Sequence, residues 1–234
     1  MKIYRALGAL LQYPTFELAA AANEITAVVE AEPRISKPAR SEVARLVARL
    51  AGQDLLEAQE AYVELFDRSR SLSLHLFEHI HGESRDRGQA MVNLAAHYES
   101  RGYCISANEL PDFLPLFLEF LSLVEPTEAG ELLSDVAHIL EAIRMRLERR
   151  GSLYAGVFQA LRDLAARKPD RSLVEGLLRN DRSPEAEAAE LDKEWEEAPA
   201  FGSPADGGCS AARETLLRMA ELSGGARPGG HEGA

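Results

Sequence analysis

The sequence predicts an all-α fold, one helical domain over residues 1–180 followed by an acidic tail. Three observations carry that reading. Apolar residues recur at helical spacing, as in Val43, Leu46, Val47 and Leu50, and clean strand alternation is absent. Helix start and stop residues such as Thr15, Pro38, Gly52, Gly82 and Thr127 punctuate the chain at helix-length intervals. A chain of 234 residues also suits one large domain, long enough to bury a core without covalent staples.

Taken in order, residues 3–13 form a short helix, and Thr15 caps a second from Phe16 to about Glu30, closed by Pro33. Pro38 opens a third that stops at Gly52, and residues Asp54 to Asp67 form a fourth with Leu55, Ala58, Tyr62, Leu65 and Phe66 inward. Leu72 to His81 reads as a short helix ended by Gly82, with Leu72, Leu76 and Ile80 as its buried stripe. Ser84 caps the next, whose inner stripe is Met91, Leu94, Ala95 and Tyr98 and which runs to Gly102. After a loop through Cys104 and Asn108, Pro111 and Pro115 introduce Phe113–Val124, a segment with almost no polar face. Thr127 caps the longest helix, with Leu133, Val136, Leu140, Ile143 and Leu147 as one unbroken stripe and arginines in its last turns. Helices at Leu153–Arg167 and Ser172–Leu178 end the domain. Residues 181–234 hold 12 acidic and 5 basic residues, are rich in Ala, Gly, Glu and Pro, and read as a mobile tail. Trp195 and the stretch Ala211–Leu222 are its two docking candidates.

Composition excludes several functions. A net charge of −12 makes nucleic acid a poor partner and favours basic peptides or surfaces. Arg144–Arg150 is the single candidate basic face for a DNA-binding regulator, and it sits at a helix end of an acidic chain. Cys104 and Cys209 fit no metal or CxxC pattern and read as reduced thiols of a cytosolic protein. The apolar stretch Ala6–Leu11 is too short for a signal peptide, and Phe113–Val124 is too short to span a bilayer, so no membrane insertion is expected.

Chemistry concentrates between Phe66 and Val124, where four of the six histidines lie. His75, Glu78 and His79 match H-x-x-E-H, which on one helix would hold zinc between two histidines with Glu as base. His81 or Glu83 could complete a structural site. The plainer reading makes His75 and His79 border residues bonded to a carbonyl or carboxylate. Glu83, Arg85, Asp86 and Arg87 read either as a solvated turn or as an ion-pair network bracing two helices. Phe113–Leu121 is either a core helix buried all round, or a helix with one face lining a groove for a partner's helix. No phosphate loop, nucleophile elbow or Ser-His-Asp set occurs, and the chain does not read as an enzyme.

The runs Tyr62–Arg68, Ser71–Met91 and Glu109–Phe120, supported by Leu10–Pro14 and by Trp195-Glu196-Glu197, resemble the NarJ family. These are the molybdenum-cofactor assembly chaperones (delta subunit) of respiratory nitrate reductase, within the wider TorD-like redox chaperones. The likeness covers about residues 1–200. It implies a TorD-like, all-helical, cytoplasmic, non-catalytic chaperone with no cofactor or metal of its own. It implies binding of the N-terminal segment of the catalytic (alpha) subunit during molybdenum-cofactor and iron–sulfur cluster insertion, and delayed membrane docking. Molybdenum-cofactor delivery proteins are further implied partners. His75, His79, His81, Gly82, Arg85, Asp86, Arg87, Pro111 and Pro115 are the motif positions. Other TorD-like members have Glu-Pro-Asp-His where this chain has Glu109-Leu110-Pro111-Asp112-Phe113, with an extra Leu and no His. The expected peptide groove uses Phe113, Phe117 and Phe120, with Glu78, Glu83, Glu109 and Asp112 at its rim.

Overall fold

Helices account for most of the described residues in the computed structural model, and no β-strand occurs among them. The structure describes residues 1–81, 85–105 and 109–179. All lie within the first of the two units into which the chain divides, Met1–Ala189. Gly82, Glu83, the Ser84 cap and the tail 181–234, with Trp195, Cys209 and Ala211–Leu222, lie outside the described residues.

Caps and breakers place the first helices as the sequence predicts. Helix α1 (Lys2–Leu10) is followed by α2 (Phe16–Ala20), whose Thr15 hydroxyl accepts the Leu18 N–H at 3.3 Å. The predicted single helix to Glu30 is two, because the chain breaks at Ala21 before α3 (Ala22–Ala31). Helix α4 (Lys37–Gly52) starts with Pro38 in its first turn, and the Asp54 carboxylate caps α5 (Leu55–Tyr62) through the Leu56 N–H at 2.9 Å. A wider π turn, Val63–Asp67, completes the predicted fourth helix.

Helices α6 (Glu78–His81) and α7 (Arg85–Ser100) precede α8 (Leu114–Leu123), the apolar helix. The predicted longest helix is α9 (Pro126–Asp135) and α10 (Ala137–Arg149), interrupted at Val136. Pro126 opens α9 with Glu125 at the cap position, so Thr127 is not the cap. Competition for one carbonyl loosens the end of α9. The Gly130 oxygen accepts both the Ser134 hydroxyl at 2.6 Å and the Ala166 N–H at 3.1 Å. Helices α11 (Ala155–Leu164) and α12 (Arg171–Arg179) follow.

Two packed layers make the core. In one, α8 lies along α1, and Leu7, Leu11, Leu114, Leu118 and Leu121 are fully buried. Gly8 lets them approach: a Cβ there would sit 3.4 Å from Leu118 Cβ. In the other, α11 is sandwiched between α10 and α4. Gly156 is tighter still, since its Cβ would fall 2.5 Å from Glu42 Cβ. Each fully buried Leu or Phe contributes roughly 1.5–3 kcal/mol, so these two layers dominate stability. The Leu133–Leu147 stripe survives the break at Val136, with Leu133, Leu140, Ile143 and Leu147 all at 0 % exposure. Arg146 is buried as well. Its guanidinium donates to the Ser71 carbonyl at 2.7 Å and the Leu177 carbonyl at 2.9 Å, tying α12 and the 3₁₀ turn Arg70–Leu72 to α10.

Candidate functional site

The predicted helix Leu72–His81 is not one helix. It opens at the end of the 3₁₀ turn Arg70–Leu72, runs through irregular chain bridged at His75, and is α-helical only at Glu78–His81. The local cause is legible in the alternation Leu72-Ser73-Leu74-His75-Leu76, which buries all three leucines at 0–3 % exposure. Ile80, expected in the buried stripe, is half exposed, because no continuous helix carries the register of Leu72 and Leu76 into α6.

This stretch pairs with the entry to α8. The Leu76 N–H donates to the Asp112 carbonyl at 3.0 Å and the Leu114 N–H to the Leu74 carbonyl at 2.8 Å, forming an isolated antiparallel bridge between His75 and Phe113. Asp112 fastens the joint. Its side chain is completely buried, accepts the Phe77 N–H at 3.1 Å and meets His75 Nδ1 at 3.4 Å. Arg87 on α7 reaches both Glu78, at 3.0 Å, and Asp112, at 3.8 Å. The four side chains thus alternate in sign, and Arg87 braces α6 to α7 as an ion-pair network should. Tyr98, further along α7, donates its hydroxyl to the Pro111 carbonyl at 2.8 Å and stacks obliquely on Phe120. Three sequence segments therefore meet at one buried polar hub.

Electrostatics follow from that geometry. The hydrogen bond to Asp112 raises the His75 pKa against the opposing effect of burial. Burial alone would raise the Asp112 pKa, but His75, the Phe77 N–H and Arg87 outweigh it and hold the carboxyl below its usual range. His79 behaves oppositely. Desolvation pushes it down to about 4, and as the neutral ring it donates from Nε2 to the Ser73 carbonyl at 2.8 Å. His75 and His79 therefore share no helix face and hold different partners, which removes the geometric basis of the zinc-hydrolase reading. Among the described residues no group of three or more His, Cys, Asp or Glu could hold a metal ion.

The expected groove residues separate into three kinds. Phe117 and Asp112 are interior, at 3 % and 0 % exposure, so Asp112 is not a rim carboxylate. Phe113 is half-buried against the His75 ring, and Pro115 is buried in the first turn of α8. Glu78 is partly exposed and paired to Arg87; Glu109 and Asp86 are exposed; His81 packs edge-on near Phe77. Phe120, expected in the groove, is also interior at 4 % exposure, with one edge against an open pocket of about 180 Å³. That pocket lies between the end of α7 and the outer face of α8, floored by Tyr98, Tyr103, Ile105, Leu116 and Leu123 with Glu119 at its edge. Gly102, with a φ of +82°, turns the chain out of α7 and delivers Tyr103 to it. Sequence reasoning missed Tyr103, Ile105 and Leu116, because the loop after α7 carries no periodic pattern. Among the described residues no helix is long and apolar enough to cross a membrane.

Comparison with known proteins matches the sequence to a family. The model for "Nitrate reductase delta subunit" matches residues 32–160. The chain is 42 % identical over 188 residues to the nitrate reductase molybdenum cofactor assembly chaperone NarJ of Escherichia coli K12, covering 80 % of this chain and 79 % of that one. It is 38 % identical to the probable chaperone NarW of the same organism, covering 84 % and 82 %. A probable NarJ chaperone of Bacillus subtilis is 28 % identical, over 74 % of this chain and 93 % of its own length. The chain belongs to the nitrate reductase delta-subunit family, a family of assembly chaperones rather than of enzymes.

Proposed function

We propose that this chain acts in nitrate reductase maturation by binding the N-terminal segment of the catalytic (alpha) subunit, with the pocket between α7 and α8 receiving an apolar anchor of that segment. In this reading the bound chaperone supports molybdenum-cofactor and iron–sulfur cluster insertion and delays membrane docking, working in the cytoplasm alongside molybdenum-cofactor delivery proteins. The metal centres are cargo of the client and need no ligands from the chaperone.

The observation that supports it is an apolar pocket rooted in the motif block. Its Tyr98 floor is hydrogen-bonded to Pro111, and Leu123 stands half exposed at its edge. A volume of about 180 Å³ accepts a single anchoring side chain rather than a whole helix. Affinity then comes from one anchor and from charge around it, where Glu119 is an exposed carboxylate at the pocket edge. Phe113 and Phe117 contribute from beneath, by holding α8 in place. A basic, amphipathic leader suits such a surface.

The test is calorimetric titration with a peptide copying the N-terminus of the partner nitrate reductase alpha subunit. One peptide per chain, weaker binding with added salt and a negative heat-capacity change are expected. Absence of binding between pH 6 and 8 would remove the reading.

A further inference from the structure

We infer that the surface formed by Tyr13, Phe16 and Leu56 is a second docking site, for a basic amphipathic segment of a partner protein. It goes beyond the client pocket on α8 and does not depend on it. These three residues are 47 %, 74 % and 64 % exposed, among the most exposed large apolar side chains of the described chain. Singly, an exposed Leu needs no explanation; Tyr13 and Leu56 edging one concavity, with Phe16 three residues on at the start of α2, do.

The surface is rigidly built. Tyr13 packs edge-on against Tyr62, which continues through Phe66 to Tyr154 as a stack of rings 5.0–5.7 Å apart. The Tyr62 hydroxyl holds the Leu11 carbonyl at 2.9 Å, and Gln59 holds the Pro14 carbonyl at 2.9 Å, so the turn before α2 is pinned to α5. An aromatic ridge held from beneath presents contact area with little conformational entropy left to lose.

Charge chooses the occupant. Tyr13 and Leu56 line a concavity of about 600 Å³ along α5, shared with Glu57, Glu60 and Glu64. Glu64 is paired with Arg68, whereas Glu57 and Glu60 have no ion pair among the described residues. On the other side of Tyr13, a concavity of about 450 Å³ between α1 and α2–α3 is lined by Lys2 and Arg5 together with Glu17 and Glu24 and so carries no excess of negative charge. Cations on the partner therefore belong over α5, and its apolar face over Tyr13 and Leu56. A second copy of this chain would bring its own Glu57 and Glu60 to the same place, and the segment 181–234 is acidic too, so like charge disfavours both. An anionic lipid surface is disfavoured for the same reason.

The probe is a three-turn Leu/Lys helical peptide, titrated into the full chain, with a Leu/Glu peptide of the same pattern beside it. The expected result is binding of the Leu/Lys peptide alone, weakened about fivefold or more by Leu56→Ser and by Glu60→Lys. Glu131→Lys on α9 makes the same charge change elsewhere and should shift affinity by less than about twofold; in Leu123→Glu, where the α8 pocket is closed to a basic amphipathic peptide, one binding event sensitive to Leu56→Ser should remain. Amide shifts should centre on Tyr13, Phe16 and Leu56. Equal weakening by Glu60→Lys and Glu131→Lys means diffuse attraction to an acidic protein and overturns the proposal. So does loss of binding through Leu123→Glu alone, which would seat the peptide in the α8 pocket, or indifference to Leu56→Ser. All four positions are exposed, so folding should survive each change.

Discussion

Removing the Asp112 carboxylate should cost more than removing any exposed acid in this chain. In Asp112→Ala the Phe77 N–H loses its acceptor, His75 loses its partner and Arg87 keeps only Glu78. A buried hydrogen bond to a charged group is worth about 1.5–3 kcal/mol, and breaking a buried pair from one side costs about 3–5. Arg87 stays partly solvated, which places the total near 3–4 kcal/mol, or roughly 10 °C in Tm for a domain of this size. Asp112→Asn retains an acceptor for the Phe77 N–H and should cost about half as much. The assay is urea unfolding followed by circular dichroism at pH 7, with both variants and wild type. The pH dependence has a definite sign. The Asp112 pKa is held down, so its contribution is present above the unfolded carboxyl range and is lost as pH falls through the lower folded value. The His75 pKa is raised, so its contribution is complete below the ordinary histidine value and is lost as pH rises through the higher folded one. The joint is therefore strongest in mildly acidic solution, and the variants should lose the alkaline limb as well as stability. A cost below about 1 kcal/mol for Asp112→Ala would refute the claim that this carboxylate fastens the joint.

Three further outcomes test other parts of the structure. The His79 pKa is lowered to about 4, so it weakens the fold as pH falls from about 6.5 toward 4, by on the order of 2–3 kcal/mol. His79→Gln can still donate to the Ser73 carbonyl and should flatten that limb in pH-dependent unfolding. Gly156→Ala forces its Cβ against Glu42 and should destabilise by about 1–3 kcal/mol, whereas Gly88→Ala, with nothing within 4 Å, should stabilise α7 by about 0.4–1 kcal/mol; thermal melts of the two should move in opposite directions. Leu123→Glu at the pocket edge should leave Tm within about 2 °C but weaken the alpha-subunit leader about tenfold or more in calorimetry, and unchanged affinity would put the client elsewhere. Phe117→Glu cannot serve for that purpose, because Phe117 is core and its charge would unfold α8 rather than alter a surface.

Helix class, most helix starts and the burial of the apolar segment follow from local chemistry. The positions of Thr15, Pro38 and Asp54 set where helices can begin, and the stripe from Leu133 to Leu147 sets which face is inside. These signals are local, because a cap satisfies its own N–H groups and a stripe needs only some core to face. The family likeness was legible for a related reason, since the motif block is contiguous in sequence even though its residues act from three segments.

Only tertiary structure decided what that block does. Glu78, Asp112 and Arg87 read alike as surface charges, yet Asp112 is buried completely while Glu78 stays at the surface. The difference is the bridge between Leu74–Leu76 and Asp112–Leu114, whose backbone bonds exist only when segments far apart in sequence meet. That bridge also takes His75 off the helix that would have faced it toward His79. Likewise the α8 pocket needs the loop after Gly102, and the Tyr13–Leu56 surface needs the turn after α1 pinned to α5. Sequence periodicity fixes which way a side chain faces from its own backbone. What stands opposite it, and hence whether a carboxylate is a rim or a rivet, is a property of the packed chain alone.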